Sequence, residues 1–277
     1  MFKKDFFHQL LRRRLTIISL VILSVILFLG ISAPYLAPHD PSQVALQYRF
    51  QPPSHQFPLG TDNLGRCNLS RLMFATRVSL STALIVICLT MIIGIAVGTC
   101  SGYRGGWVDN LFMRLCDIVM AFPSLVLTLV IIGMLGPGFL NIIIALVSVQ
   151  WVWYARIIRG MVLSLKERNF ILAARASGTS DLAIIARHIM PGIIPQLAVL
   201  ATLDLGGVIM HISGLSFLGL GIQPPTPELG AMLNDGKQFI RNDQTLMIYP
   251  GLVILLAVVS FNLLGDSLRD VFEELRR

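Results

Sequence analysis

Residues 118–155 read IVMAFPSLVLTLVIIGMLGPGFLNIIIALVSVQWVWYA, and none of them carries a formal charge. A helix crossing a hydrocarbon core of about 30 Å needs about 20 apolar residues, because each residue rises about 1.5 Å. The stretch is long enough for two crossings, and Gly136-Pro137-Gly138 supplies the turn between them. It therefore predicts one membrane span over residues 116–135 and a second over residues 140–158.

Apolar runs of the same kind flank it on both sides. Residues 15–33 follow the basic run Arg12-Arg13-Arg14 and are expected to stop at Pro34, which cannot continue a helix comfortably. That run is long for the apolar region of a secretory signal, and Ser32-Ala33-Pro34 is a poor cleavage site, so a retained helix is expected. Residues 78–101 form the next span and end in Gly102-Tyr103-Arg104-Gly105-Gly106. A fifth starts near Pro191 and is interrupted by Asp204 and Gly206-Gly207; a sixth covers residues 246–264. The composition agrees: 55% of the 277 residues are hydrophobic and 13% charged, with a mean hydropathy of +0.74. The expected class is all-α and polytopic, with six transmembrane helices.

A net charge of +7 invites thoughts of nucleic acid, but no aromatic and basic strip interleaves to read one. The basic residues mark orientation instead. Lys3, Lys4 and Arg12 to Arg14 place the N-terminus in the cytoplasm. Alternation then puts the connection holding Arg156, Arg159, Lys166, Arg168, Arg175 and Arg187 on the same side, together with the C-terminal tail. Phe2, Phe6, Phe7, Leu10 and Leu11 suit a short interfacial helix. Arg66, Arg71 and Arg77 fall on the outer side, on an apolar segment over residues 69–80 expected to lie at the interface with its arginines snorkelling. The division that follows is an interfacial N-terminus (1–14), a first helix with its outer segment (15–77), a core (78–265) with a cytoplasmic loop at 159–190, and a cytoplasmic tail (266–277). Cys67, Cys88, Cys100 and Cys116 lack Cys-x-x-Cys spacing and are assigned neither metal nor disulfide.

The cytoplasmic loop reads as helix, glycine break, helix. Gly178 suits the left-handed residue that ends the first, and Thr179 or Ser180 can cap the second with Asp181 in its first turn. Ala173-Ala174, then Gly178, then His188-Ile189-Met190-Pro191 resembles the Glu-Ala-Ala loop of ABC importer permeases. Leu172 stands where that motif has glutamate. The resemblance implies a type I ABC importer permease fold, with Ala173, Ala174, Gly178, Thr179, Ser180 and Asp181 docking on an ATPase subunit.

A second signature precedes residue 78. Leu59-Gly60-Thr61-Asp62-Asn63-Leu64-Gly65-Arg66, followed by Ser70-Arg71, resembles the C-type permeases of dipeptide, oligopeptide and nickel importers, with Cys67 at the usual aspartate. Leu215 to Gly221, Pro224-Pro225-Thr226-Pro227 and Leu229 to Met232 extend the likeness. Gln150 to Arg156 and Leu200 to Asp204 look more like the nickel branch, with peptide import the alternative.

Asp204 is the most informative residue of that set, since an ionisable group inside a span is costly and faces a bundle interior or a water-filled path. His211 lies on nearly the same face about 10 Å further along, so one ion cannot bind both. With Met210 as a soft donor, they form candidate stations for a cation. The alternative is that Asp204 pairs with a partner permease and His211 packs at an interface. Asp117 beside Arg114 reads as an interfacial charge pair.

No Gly-x-x-x-x-Gly-Lys-Ser/Thr loop, His-Glu-x-x-His or nucleophile motif occurs. The chain is thus expected to be non-enzymatic and to bind no cofactor, with ATP and Mg on partner subunits. Family partners are a second homologous permease, two ATPase subunits and an extracytoplasmic substrate-binding protein. The place is the bacterial inner membrane. A secondary transporter or channel is disfavoured by the loop at 173–191 and by the lack of an internal repeat.

Overall fold

The computed structural model describes residue 10 and residues 13–274, so the interfacial helix expected near the N-terminus falls almost wholly outside the described residues. Helices follow one another as α1 (Arg14–Leu36), α2 (Asn68–Arg104), α3 (Gly106–Met120), α4 (Ser124–Leu135), α5 (Phe139–Lys166), α6 (Asn169–Ala176), α7 (Asp181–Phe217), α8 (Leu229–Lys237) and α9 (Thr245–Glu274). Among the described residues the only extended pairing is an isolated bridge between Thr61 and Cys67. Five helices, α1, α2, α5, α7 and α9, are long and apolar enough to cross a membrane, and the bent pair α3 and α4 passes the same test taken together, giving six if the pair counts as one span.

Three details depart from the sequence reading. The third span is not one rod, because α3 and α4 meet at 86°. The break at Ala121-Phe122-Pro123 follows from the proline, which lacks a donor and drives the residue before it out of helical conformation. The outer helix expected over residues 69–80 is not separate: it continues into the second span as α2, whose 37 residues reach about 55 Å. Finally, Pro34 does not end α1, which runs on to Leu36 with Ala37 N–H donating to Ala33 O at 3.1 Å. A proline in the last turn removes only one helical hydrogen bond.

The chain forms two compact units, one of Met1–Ile85, Ile132–Ile143 and Thr202–Arg277, the other of Val86–Ile131 and Ile144–Ala201. In the first, α1 lies along α9. Thr16 Oγ1 donates to Ser267 Oγ at 2.8 Å between buried hydroxyls, and Arg13 pairs with Asp270 and Glu274. The opposite face of α1 is left uncovered, with Phe28 61% and Ile31 70% exposed.

In the second unit, Gly94, Gly98 and Gly102 recur every four residues and share one face of α2. A Cβ at Gly98 would stand 2.5 Å from the Ala155 carbonyl oxygen, and one at Gly94 2.5 Å from Tyr154 Cβ. These glycines let α2 and α5 approach until backbone meets side chain. Lipid is as apolar as leucine, so such contact, rather than exclusion of water, holds helices together in a membrane. Tyr154, Ala155 and Ile158 on the facing helix are fully buried.

Gly98→Ala is therefore expected to lower the thermal unfolding midpoint in detergent, overpacking costing about 1–3 kcal/mol. Gly160→Ala, where an added Cβ meets nothing within 4 Å, should leave the midpoint unchanged or raise it. Equal midpoints for the two variants would remove close packing as the reason for the stripe.

Candidate functional site

The corner between α5 and α7 is built by local rules. Thr179 N–H donates to Ala174 O at 3.1 Å and Gly178 N–H to Arg175 O at 3.0 Å, the pair of bonds that closes a helix on a left-handed residue. Gly178 supplies it with φ 78°. Ser180 is the residue before α7, but neither it nor Thr179 caps with its hydroxyl as the sequence leads one to expect. Ser180 takes part through its carbonyl, which accepts the first helical bond from Ile184 N–H at 2.9 Å. The first turn of α7 carries Asp181, then widens to a π-turn over Ile185–Ile189. That widening precedes Pro191, whose ring would otherwise meet the carbonyl of Arg187.

The corner has an apolar underside and an apolar top. Ile171, Ile184 and Ile189 are fully buried in one cluster with Tyr103, Val162 and Ile193. On the other side Phe170, Leu172 and Leu182 are 50%, 48% and 80% exposed, beside exposed Ala173, Arg175 and Gly178. Large apolar side chains held outward on a polar loop mark a surface that meets a partner. Tyr103 is the residue that sequence reasoning missed here. Its hydroxyl accepts from Arg175 Nη2 at 3.3 Å and donates to Asp181 Oδ1 at 2.6 Å. The hydrogen bond to Tyr103 raises the pKa of the Arg175 guanidinium above its ordinary value.

Two charge pairs brace the same unit. Arg159 Nη2 donates to Asp109 Oδ2 at 2.6 Å and Ser101 Oγ to Asp109 Oδ1 at 2.5 Å. Asp117 pairs with Arg156 rather than with Arg114, its neighbour in sequence. Packing of Cys116 against Val152 and Ala155 carries Asp117 onto α5.

Asp204, Met210 and His211 all lie on α7. Asp204 is half-buried, with its Oδ1 beside Gly207; Met210 is 59% exposed. His211 Nδ1 is buried with no hydrogen-bond partner. Seven residues separate the acid from the imidazole, about 10 Å along the axis, so the structure does not join them. Among the described residues no three of His, Cys, Asp and Glu gather into a group that could hold a metal ion.

The segment between α1 and α2 folds into a clasp. Asp62 Oδ2 accepts from Arg66 Nε at 2.7 Å and from Arg71 Nη1 at 2.5 Å, while its Oδ1 accepts the N–H groups of Leu64 and Arg66. Both guanidinium groups then reach Asp235 Oδ2, at 3.2 and 3.0 Å. Arg66 and Arg71 are 5% and 4% exposed, so these arginines are locked in a four-member ion cluster and do not snorkel; Arg77 alone of the three is exposed. Burial pushes the Asp235 carboxyl above the ordinary carboxylate range; Arg66 pulls it back and Asp62 pushes it further. Gly65, at φ 73°, lies so close to Ala45 that a Cβ would stand 1.9 Å from its carbonyl oxygen. Cys67, at the usual aspartate of the signature, is buried and bridges to Thr61.

Comparison with known proteins places these features. A family model described as binding-protein-dependent transport system inner membrane component matches residues 91–277. A model of the N-terminal transmembrane domain of oligopeptide transport permease C matches residues 2–53. A nickel transport system permease protein of Escherichia coli K12 is 42% identical over 253 residues, covering 91% of each chain. A dipeptide transport system permease protein of Alkalihalophilus pseudofirmus is 37% identical over 98% of this chain and 89% of its own. A glutathione transport system permease protein of Pectobacterium atrosepticum is 36% identical over 98% and 90%. In fold, the chain is similar to an inward-facing structure of the MetNI methionine ABC transporter, with a TM-score of 0.58 at 21% identity over 72% of this chain and 95% of that one.

Asp62→Asn would leave two buried guanidinium groups short of a countercharge, a loss of about 3–5 kcal/mol. The expected result is a sharp fall in folded protein recovered in detergent. Arg269→Ala, which breaks only an exposed pair with Glu273, should leave recovery unchanged. Equal recovery from both variants would deny the clasp its structural weight.

Proposed function

This chain belongs to the binding-protein-dependent transport system inner membrane components and is a permease subunit of an ABC importer; from that premise we propose that its cargo is nickel or a chelated transition metal, moved by alternating access. The observation that carries the metal reading is the 42% identity to a nickel permease, against 37% and 36% for dipeptide and glutathione permeases. Asp204 within α7 supports it, because an acid at that depth favours a cation over a peptide backbone. Dipeptide import is the second reading, favoured by relatives that align over 98% of the chain.

This subunit forms half of the translocation path and a second, similar permease forms the rest. ATP and Mg act on two ATPase subunits, and an extracytoplasmic binding protein hands the ligand to the outer face. Both termini lie in the cytoplasm, as the basic residues of the N-terminus and of the 156–187 segment favour. The corner of Ala173, Ala174, Gly178, Thr179, Ser180 and Asp181 seats on an ATPase subunit. The outward Phe170, Leu172 and Leu182 favour a seat with an apolar floor. Asp204, Met210 and His211 are stations on the cargo's way, the acid providing charge and the other two softer donors.

Three outcomes test this reading. Proline cannot adopt the φ of 78° at residue 178 and has no N–H for Arg175 O. Gly178→Pro should therefore leave the chain inserted and ATP hydrolysis running while uptake falls; normal coupling would count against the corner. Asp204→Asn should lower nickel uptake severalfold with assembly unchanged. Nickel accumulation and dipeptide uptake, compared in cells lacking and carrying the complete transporter, decide the cargo, and uptake of dipeptide alone would overturn the metal reading.

A further inference from the structure

Tyr103 stands near the end of α2, outside the loop that meets the ATPase, yet it touches both arms of the corner. Its hydroxyl accepts from Arg175, one residue before the end of α6 that Gly178 closes, and donates to Asp181, the first residue of α7. One oxygen thus bridges the two helices on either side of the glycine. The ring is 8% exposed and packs among Ile171, Ile184 and Ile189, one or more from each arm. The guanidinium of Arg175 lies 5.6 Å from its centroid.

Tyr103 is itself well anchored. Lys166 Nζ donates to the carbonyl of Gly102 at 3.0 Å, and a Cβ on Gly102 would stand 3.0 Å from Arg159 O. The end of α2 is therefore held tight against α5. Gly178, by contrast, has nothing within 4 Å of an added Cβ, so the glycine sets the turn without bracing it. Apolar packing of the isoleucines resists separation of the arms but has no preferred direction. The hydroxyl bonds do; both are charge-assisted, and the one to Asp181, at 2.6 Å against 3.3 Å, is the stronger.

We propose that Tyr103 is a positioning residue that fixes the angle of the coupling corner and passes its displacement into α2. This rests on the reading of the corner as the ATPase seat. When the seat moves, Arg175 and Asp181 move together against one buried oxygen, and the force enters a spanning helix instead of flexing residues 177–180.

The test uses the complete importer in lipid vesicles, reading the ratio of ATP hydrolysis with and without its binding protein, the latter as purified from the producing cell. That ratio needs no knowledge of the cargo, and a merely structural defect lowers both rates and leaves it alone. Tyr103→Phe keeps the ring and removes the hydroxyl; Asp181→Asn leaves Tyr103 in place and weakens the acceptor, so the proposal stays testable if the first variant assembles poorly. Each is expected to cut the ratio roughly three- to tenfold, with the double variant no worse than either alone. A wild-type ratio in both single variants, or additive losses in the double, overturns the proposal. Gly178→Pro, run alongside, separates the two ideas. If it alone loses stimulation, the corner stands and the role of Tyr103 fails; if all three variants keep stimulation, the reading of the corner fails as well.

Discussion

Hydrocarbon offers a polar group no hydrogen-bond partner, and most of this structure answers that one constraint. Backbone is satisfied inside helices, which explains why the described residues hold a single isolated bridge of extended chain. Side-chain charge near the spans is met by a nearby opposite charge, as with Arg159 and Asp109 or Arg156 and Asp117. Since lipid also removes the usual reason for apolar surfaces to associate, the helices are held by contact so close that only glycine permits it, as at Gly94, Gly98 and Gly102.

The spans were legible because length and the absence of charge suffice to find them. α5 and α9 begin within a residue or so of where hydropathy places them, although both continue well past the apolar run. Hydropathy is blind to Pro123, beside which the expected third span breaks between α3 and α4. It misjudged Arg66 and Arg71 for a different reason. One countercharge, Asp62, is only four and nine residues away, but the second acid that completes the cluster, Asp235, lies 169 and 164 residues away, and no local window joins residues so far apart.

The corner divides along the same line. Its backbone could be read in advance because the glycine closure and the acidic first turn are short-range rules. Its brace could not, since Tyr103 and Asp181 are 78 residues apart and Tyr103 sits in a turn-rich run that reads as a mere span ending. Asp204 is the reverse case: it announces itself as an acid in an apolar run, yet among the described residues no three of His, Cys, Asp and Glu gather into a group that could hold a metal ion.

Two glycines of this chain are required on unlike grounds. At Gly98 the objection to any other residue is volume, for a methyl group already collides with backbone. At Gly178 there is space to spare and only φ to satisfy. The demand there is one of handedness: the torsion lies on the side that an L-residue avoids and a mirror-image residue would favour. Asparagine, the L-residue that best tolerates that torsion, is the least costly substitute at 178, whereas at Gly98 even alanine meets backbone.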